Sequence, residues 1–209
     1  MGGLERPGKI VCVGRNYREH VDELGHTLTP EPLLFLKPPS AVIGDGDAIV
    51  LPRLPAALAR VDYEGELVAI IGSPLRHASA AAALAAVRGY TCGNDVTARD
   101  IQAAEEQWTR AKGFDTFCAL GPVVAALDPS DVGITTRVNG EIRQRGRTRE
   151  MVVGVGALLA YISECMTLEE GDAVFTGTPA GVGSLEDGDV VEVEIEGVGV
   201  LRNPVRRSP

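Results

Sequence analysis

The run Val61–Ile71, reading Val-Asp-Tyr-Glu-Gly-Glu-Leu-Val-Ala-Ile-Ile, constrains this chain more than any other stretch. Side chains of a strand alternate with period two, so Asp62, Glu64, Glu66, Val68 and Ile70 share one face. That face is acidic at one end and apolar at the other, and one end of the strand must therefore run into a core. Glu64 and Glu66 stand at the changeover. Two carboxylates so placed against an apolar wall repel and raise each other's pKa unless a cation sits between them. Oxygen-only ligands select a hard ion such as Mg²⁺ or Mn²⁺. The competing reading of an E-x-E pair is a solvated strand face.

The remaining chain is punctuated for short strands. Gly46-Asp47, Gly171-Asp172 and Gly188-Asp189 each precede a β-branched or apolar run, the pattern of a turn followed by a strand. With 25 Gly and 13 Pro in 209 residues, short strands are favoured over long helices, and one domain is expected. Asn139-Gly140 between Ile134–Val138 and Glu141–Arg145 predicts a hairpin with a type I′ turn. The Arg143–Arg149 run reads as its solvated edge. Ser79 is the expected N-cap of a helix over Ser79–Val87 that stops at Gly89, and Val155–Cys165 has the spacing of a helix covering a sheet. Asn16, with Glu19 three residues on, predicts a capping box, and Gly25 suits the C′ position of the same helix. About eight residues of helix are marginal without tertiary support, which makes residues 14–30 a candidate mobile lid.

Composition narrows the partners. A formal charge of −9 argues against nucleic acid, whose phosphates need a basic surface. Met1–Ile10 has no apolar h-region, and Ala78–Val87 is too short to span a bilayer, so no membrane partner is expected. Cys12, Cys92, Cys118 and Cys165 lie far apart with no C-x-x-C, as in a cytoplasmic protein with reduced, mostly buried thiols. The chain carries 17 Arg but only three Lys, at positions 9, 37 and 112. Arg cannot replace a compact ammonium beside a small site, which draws attention to Lys37 and Lys112.

His20 and Glu23, at i and i+3, would face the same way and could form an imidazole base oriented by a carboxylate, or a plain surface ion pair. Asp95 ends the Tyr90–Val96 strand and supplies a third carboxylate. Arg99 and Gln102 can present planar donors to a carboxylate. The loop Gly177–Gly183 lacks the Gly-Lys-Ser/Thr of a P-loop, yet its amides and Thr178 can hold a carboxylate.

Taken together these segments resemble the fumarylacetoacetate hydrolase family, and most closely its short members of the acylpyruvate hydrolase/oxaloacetate decarboxylase type. The matching stretches are Val13-Gly14-Arg15-Asn16-Tyr17 with His20, Leu34–Pro38, Tyr63-Glu64-Gly65-Glu66-Leu67, Asn94–Gln102, Lys112–Phe117, Val138–Glu141, Leu168–Asp172 and Thr176–Gly183. They cover nearly the whole chain, leaving no stretch for the extra N-terminal domain of larger members. The resemblance implies a mostly β fold (α+β), a β-roll of mixed sheets with a few short helices, assembled as a homodimer. It implies Glu64, Glu66 and Asp95 as ligands of Mg²⁺ or Mn²⁺, Lys112 as the active-site lysine, and His20 with Glu23 as the lid dyad. Arg99, Gln102 and Thr178 take substrate-contacting positions.

The chemistry expected is cleavage of the C–C bond of an acylpyruvate, a small anionic 2-oxo acid, with oxaloacetate decarboxylation as a parallel activity. The His20–Glu23 pair tips the reading to hydrolysis, since it can activate a water. The alternative is an isomerase or tautomerase of 2-hydroxy-dienoates or oxaloacetate, and a third is a carboxylate-binding protein without turnover.

Overall fold

Each Gly-Asp unit forms a turn with the same wiring. Gly46, Gly171 and Gly188 all adopt positive φ. The Asp that follows accepts an N–H from three residues back, at Gly44, Glu169 and Glu186 respectively. A strand then begins one or two residues later in each case. The computed structural model describes residues 6–25 and 27–208, apart from the side chains of residues 122 and 123, so residue 26 of the expected lid lies outside the described residues.

A seven-stranded mixed sheet forms the frame. Its order is β2 (Leu33–Lys37), β1 (Ile10–Gly14), β12 (Ala173–Phe175), β6 (Gly65–Ile71), β7 (Val87–Asp95), β9 (Cys118–Ala125) and β3 (Val42–Ile43). β1 with β12 and β3 with β9 are parallel, and the other pairs are antiparallel. A five-stranded sheet, β11 (Glu141–Arg147), β10 (Gly133–Val138), β14 (Val190–Ile195), β15 (Gly199–Arg207) and β4 (Ile49–Leu51), packs against it. A small sheet of β13 (Gly183–Ser184), β5 (Val61–Tyr63) and β8 (Thr97–Ala98) completes the architecture. The expected mostly β fold of mixed sheets is the one observed.

Period two sorts the core into two sides of the large sheet. Val11, Val13, Leu67, Ala69, Ile71 and Val174 face α5 (Val155–Cys165), α2 (Ala80–Ala85) and the five-stranded sheet. In α5, Val155, Leu158, Leu159 and Ile162 recur at helical spacing and are all buried. Ile10, Cys12, Val68, Ile70, Cys118 and Phe175 fill the opposite, inner side. A third cluster joins α3 (Arg99–Ala104) to β4, β5 and β15 through Ile101, Phe117, Tyr63 and Val205. Among the described residues no helix is long and apolar enough to cross a membrane.

Three local expectations are corrected. Val61–Ile71 is not one strand: it breaks at Glu64, and its two halves join different sheets. Gly89 is not a helix stop but lies inside β7, since α2 already ends at Ala85. Asn16 is not an N-cap. The helix, α1 (Arg18–Glu23), has six residues and Tyr17 as an N-cap that offers no side-chain hydrogen bond. The Asn16 amide is instead buried, donating to the carbonyls of Val153 (3.0 Å) and Thr176 (2.8 Å) and accepting the N–H of Val153 (2.9 Å). Asn16→Ala should therefore cost about 2–4 kcal/mol in denaturant unfolding, from three lost bonds and unsatisfied backbone groups. A loss below 1 kcal/mol would mean that water replaces the amide.

Candidate active site

The break at Glu64 is what builds the site. The chain leaves the small sheet after Tyr63 and enters the large one at Gly65. A side chain at position 65 would put its Cβ 2.0 Å from Thr136 Oγ1, so only glycine passes the crossing. The Gly65 N–H donates to Gln144 Oε1 (2.9 Å), and its carbonyl accepts the Thr178 hydroxyl (2.9 Å). Gln144 Nε2 then donates to Thr178 Oγ1 and to the Pro179 carbonyl, both at 2.7 Å. Asn94 Oδ1 holds the Glu64 N–H (3.0 Å), and the Asp95 N–H donates to the Glu64 carbonyl (2.9 Å).

These constraints bring Glu64, Glu66 and Asp95 together. All three are buried, and one carboxylate oxygen of each lies within 4.8 Å of the others. Burial pushes Glu66 well above the ordinary carboxylate range, and the charges of Asp95 and Glu64 add to it, although the Gly177 N–H (2.6 Å) opposes both. Gly177 makes that bond at φ +100, with no room for a Cβ beside Asn16. Glu64 goes the other way: burial raises it, but Lys112, Arg99 and His20 more than reverse that and hold it well below the usual range. A hard divalent ion fits this set, because three converging oxygens include one, on Glu66, that is short of positive partners.

The two suspect lysines both belong here. Lys112 ends α4 (Thr109–Lys112) and is buried, donating to Glu64 Oε2 (3.0 Å) and Asp95 Oδ2 (2.6 Å), with its ammonium 4.8 Å from the centre of the Phe35 ring. Burial alone would lower its pKa, but Asp95 and Glu64 leave it raised, so the lysine stays charged. Lys37 is equally buried and donates to the other oxygen of Asp95 and to the Val96 carbonyl (3.0 Å). Lys112→Arg should lower the melting temperature and severely impair turnover, because a planar fork overpacks a slot shaped for an ammonium. Wild-type stability and kinetics in that variant would dismiss the argument.

One cavity collects the other sequence-predicted residues. His20, Arg99, Gln102, Lys112 and Thr178 line it beside the three carboxylates, and it measures about 30 Å³. That is room for roughly two water molecules. Glu23 stands behind it, 3.2 Å from His20 Nδ1, and also accepts the Gly181 N–H at 3.0 and 3.2 Å. A carboxylate can only accept, so the Nδ1–H donates to Glu23, and in the neutral ring the acceptor is then Nε2. α1 is seated by the buried Tyr17 and Val21.

Arg99 is not the open donor that its sequence position suggests. Its Nε donates to Asp62 (2.9 Å), one terminal nitrogen to Glu64 and the other to Gln102 Oε1 (2.6 Å). The Gln102 NH₂ group is thus turned away from the guanidinium. Likewise the loop amides do hold carboxylates, but those of Glu66 and Glu23. Sequence reasoning missed Gln144, Asp62 and Trp108. Gln144 hides in an arginine run, where the inward side of an alternating strand was its only signal. Trp108, the single tryptophan, walls the cavity edge-on to Phe35, ring centres 5.3 Å apart.

Comparison with known proteins places this arrangement. A crystal structure described as 5-carboxymethyl-2-hydroxymuconate delta-isomerase from Mycobacterium smegmatis superposes with a TM-score of 0.90 at 48% identity, covering 98% of this chain and 80% of that one. One described as 2-hydroxyhepta-2,4-diene-1,7-dioate isomerase from Mycobacterium marinum gives 0.89 at 48% identity, covering 97% and 76%. The human mitochondrial protein named oxaloacetate tautomerase FAHD2A is 42% identical over an alignment 215 positions long, gaps included, that covers 97% of this chain and 68% of the relative. Residues 9–206 match the family described as Fumarylacetoacetate (FAA) hydrolase C-terminal, and the chain thus belongs to the fumarylacetoacetate hydrolase family.

Proposed function

We propose that this protein enolises a small anionic 2-oxo acid, acting as an isomerase or tautomerase on oxaloacetate or a 2-hydroxy-dienoate. The observation that carries this reading is the convergence of Glu64, Glu66, Asp95 and Lys112 on one small cavity, a charge arrangement suited to an enolate, with the His20 imidazole beside them. A divalent ion held by the three carboxylates would stabilise enolate charge as a Lewis acid. His20 Nε2 removes the proton next to the keto group and returns it elsewhere on the same molecule, so that no other reactant is consumed. Lys112 stabilises the oxygen on which negative charge develops. Gln102 orients the substrate through its NH₂ group, which makes no hydrogen bond among the described residues, and Thr178, already bonded on both sides, holds the wall.

The names of the human relative and the two mycobacterial structures support proton transfer as the activity. Metal-dependent hydrolysis of acylpyruvates is the second reading, favoured by the His20–Glu23 pair, which serves equally to deprotonate a water. The test is an assay of the Mg²⁺-loaded protein on oxaloacetate, acetylpyruvate and fumarylpyruvate, following enol absorbance, cleavage and decarboxylation separately. Keto–enol interconversion faster than any cleavage is expected. Faster acylpyruvate cleavage would establish the hydrolase, and inactivity on these three and on a 2-hydroxy-dienoate would end both readings.

A further inference from the structure

We propose that Arg15 recognises the far carboxylate of a dicarboxylic 2-oxo acid, so that this site selects dianionic substrates over monoanionic acylpyruvates. The proposal rests on the enolisation reading above and names its substrate class.

Arg15 lines the cavity that holds the three carboxylates, yet it differs from every other cation there. Arg99 and Lys112 are committed to Asp62, Glu64 and Asp95, and Lys37 to Asp95. The Arg15 guanidinium makes no hydrogen bond or ion pair among the described residues, although its Nε is buried. A buried donor without an acceptor is rare and unfavourable, and an anion entering the cavity would supply one. The guanidinium fork suits a carboxylate in particular.

The backbone at this residue is equally unusual. Arg15 sits at φ 60, the left-handed region that disfavours any side chain with a Cβ. It is held there from both sides: Gly14 pairs with Leu33 across β1 and β2, and Asn16 is locked by its three amide bonds. A strained residue over-determined by its neighbours, with an uncommitted charge at a cavity, points to a ligand contact. Charge counting agrees. The four carboxylates Asp62, Glu64, Glu66 and Asp95 are balanced in number by Lys37, Arg60, Arg99 and Lys112, so a bound divalent ion and Arg15 would leave positive charge that a dianion offsets better than a monoanion.

Calorimetry on the Mg²⁺-loaded protein with malate and lactate tests this. Both present the same 2-hydroxy acid head, and only malate carries a far carboxylate. Wild type should bind malate more tightly, and Arg15→Gly should weaken malate by about 10–100-fold while leaving lactate unchanged. Glycine suits φ 60, so that variant should melt no lower than wild type, and Arg15→Lys should recover part of the malate affinity. Equal weakening of both ligands, or no change in either, would overturn the assignment. Equal binding of both by wild type removes the Arg15 role alone. Failure of wild type to bind either removes the reading of the site, and this assignment with it.

Discussion

Glu66→Gln is expected to abolish metal-dependent turnover and, in the same molecule, to stabilise the metal-free protein at neutral pH. The first effect follows from removing one of three charged oxygens that converge within 4.8 Å. The second follows from the direction of the Glu66 shift, which is upward through burial and then through Asp95 and Glu64. A carboxyl whose folded pKa lies above its unfolded one contributes stability at pH below the unfolded value, near 4.5, and that contribution is lost as pH rises through the folded value. At neutral pH the metal-free wild type therefore folds at a cost from this group, which the neutral amide avoids. Gln can still accept the Gly177 N–H, so the geometry survives. Replacement of a buried charge by a neutral group of similar volume gives about 1–4 kcal/mol in favourable cases. Thermal melts with chelator should show the variant above wild type, and melts with excess Mn²⁺ should reverse the order. A variant that keeps its activity in chelator, or that melts lower than wild type without metal, contradicts the placement of the ion.

His20→Ala should lower turnover by about 10²–10⁴-fold, the usual worth of a positioned base. Affinity for Mn²⁺ should hold, because His20 contributes no oxygen to the carboxylate cluster. Glu23→Gln should give a smaller loss, since it still accepts the Gly181 N–H but no longer pairs with an imidazolium. If His20→Ala retains wild-type rates while Lys112→Arg does not, proton transfer belongs to another group and α1 is only a cover.

How much of this was legible in the sequence depends on how local the cause is. Glu66, Val68 and Ile70 do share the inner face, as period two requires, because β6 is regular from Gly65 onward. Glu64 reaches the same centre for a reason no local pattern carries: β5 pairs with β8 and β13, partners that lie far along the chain. Asn16 fails as an N-cap for the same reason. Its amide finds Val153 and Thr176, 137 and 160 residues away, and three long-range bonds outweigh one local cap. Lys37 and Lys112 were visible through scarcity in an arginine-rich chain, a compositional signal that survives without any knowledge of contacts. Gln144 gave no such signal, since its importance arises only where β11 meets the Glu64–Glu66 crossing.

The Gly177–Gly181 loop grips two carboxylates by its backbone, Glu66 at its start and Glu23 at its end. One short segment thus fastens both a floor plank and the latch of the door above it. A movement of α1 would therefore break the bonds to Glu23 and leave the Gly177 bond to Glu66 in place.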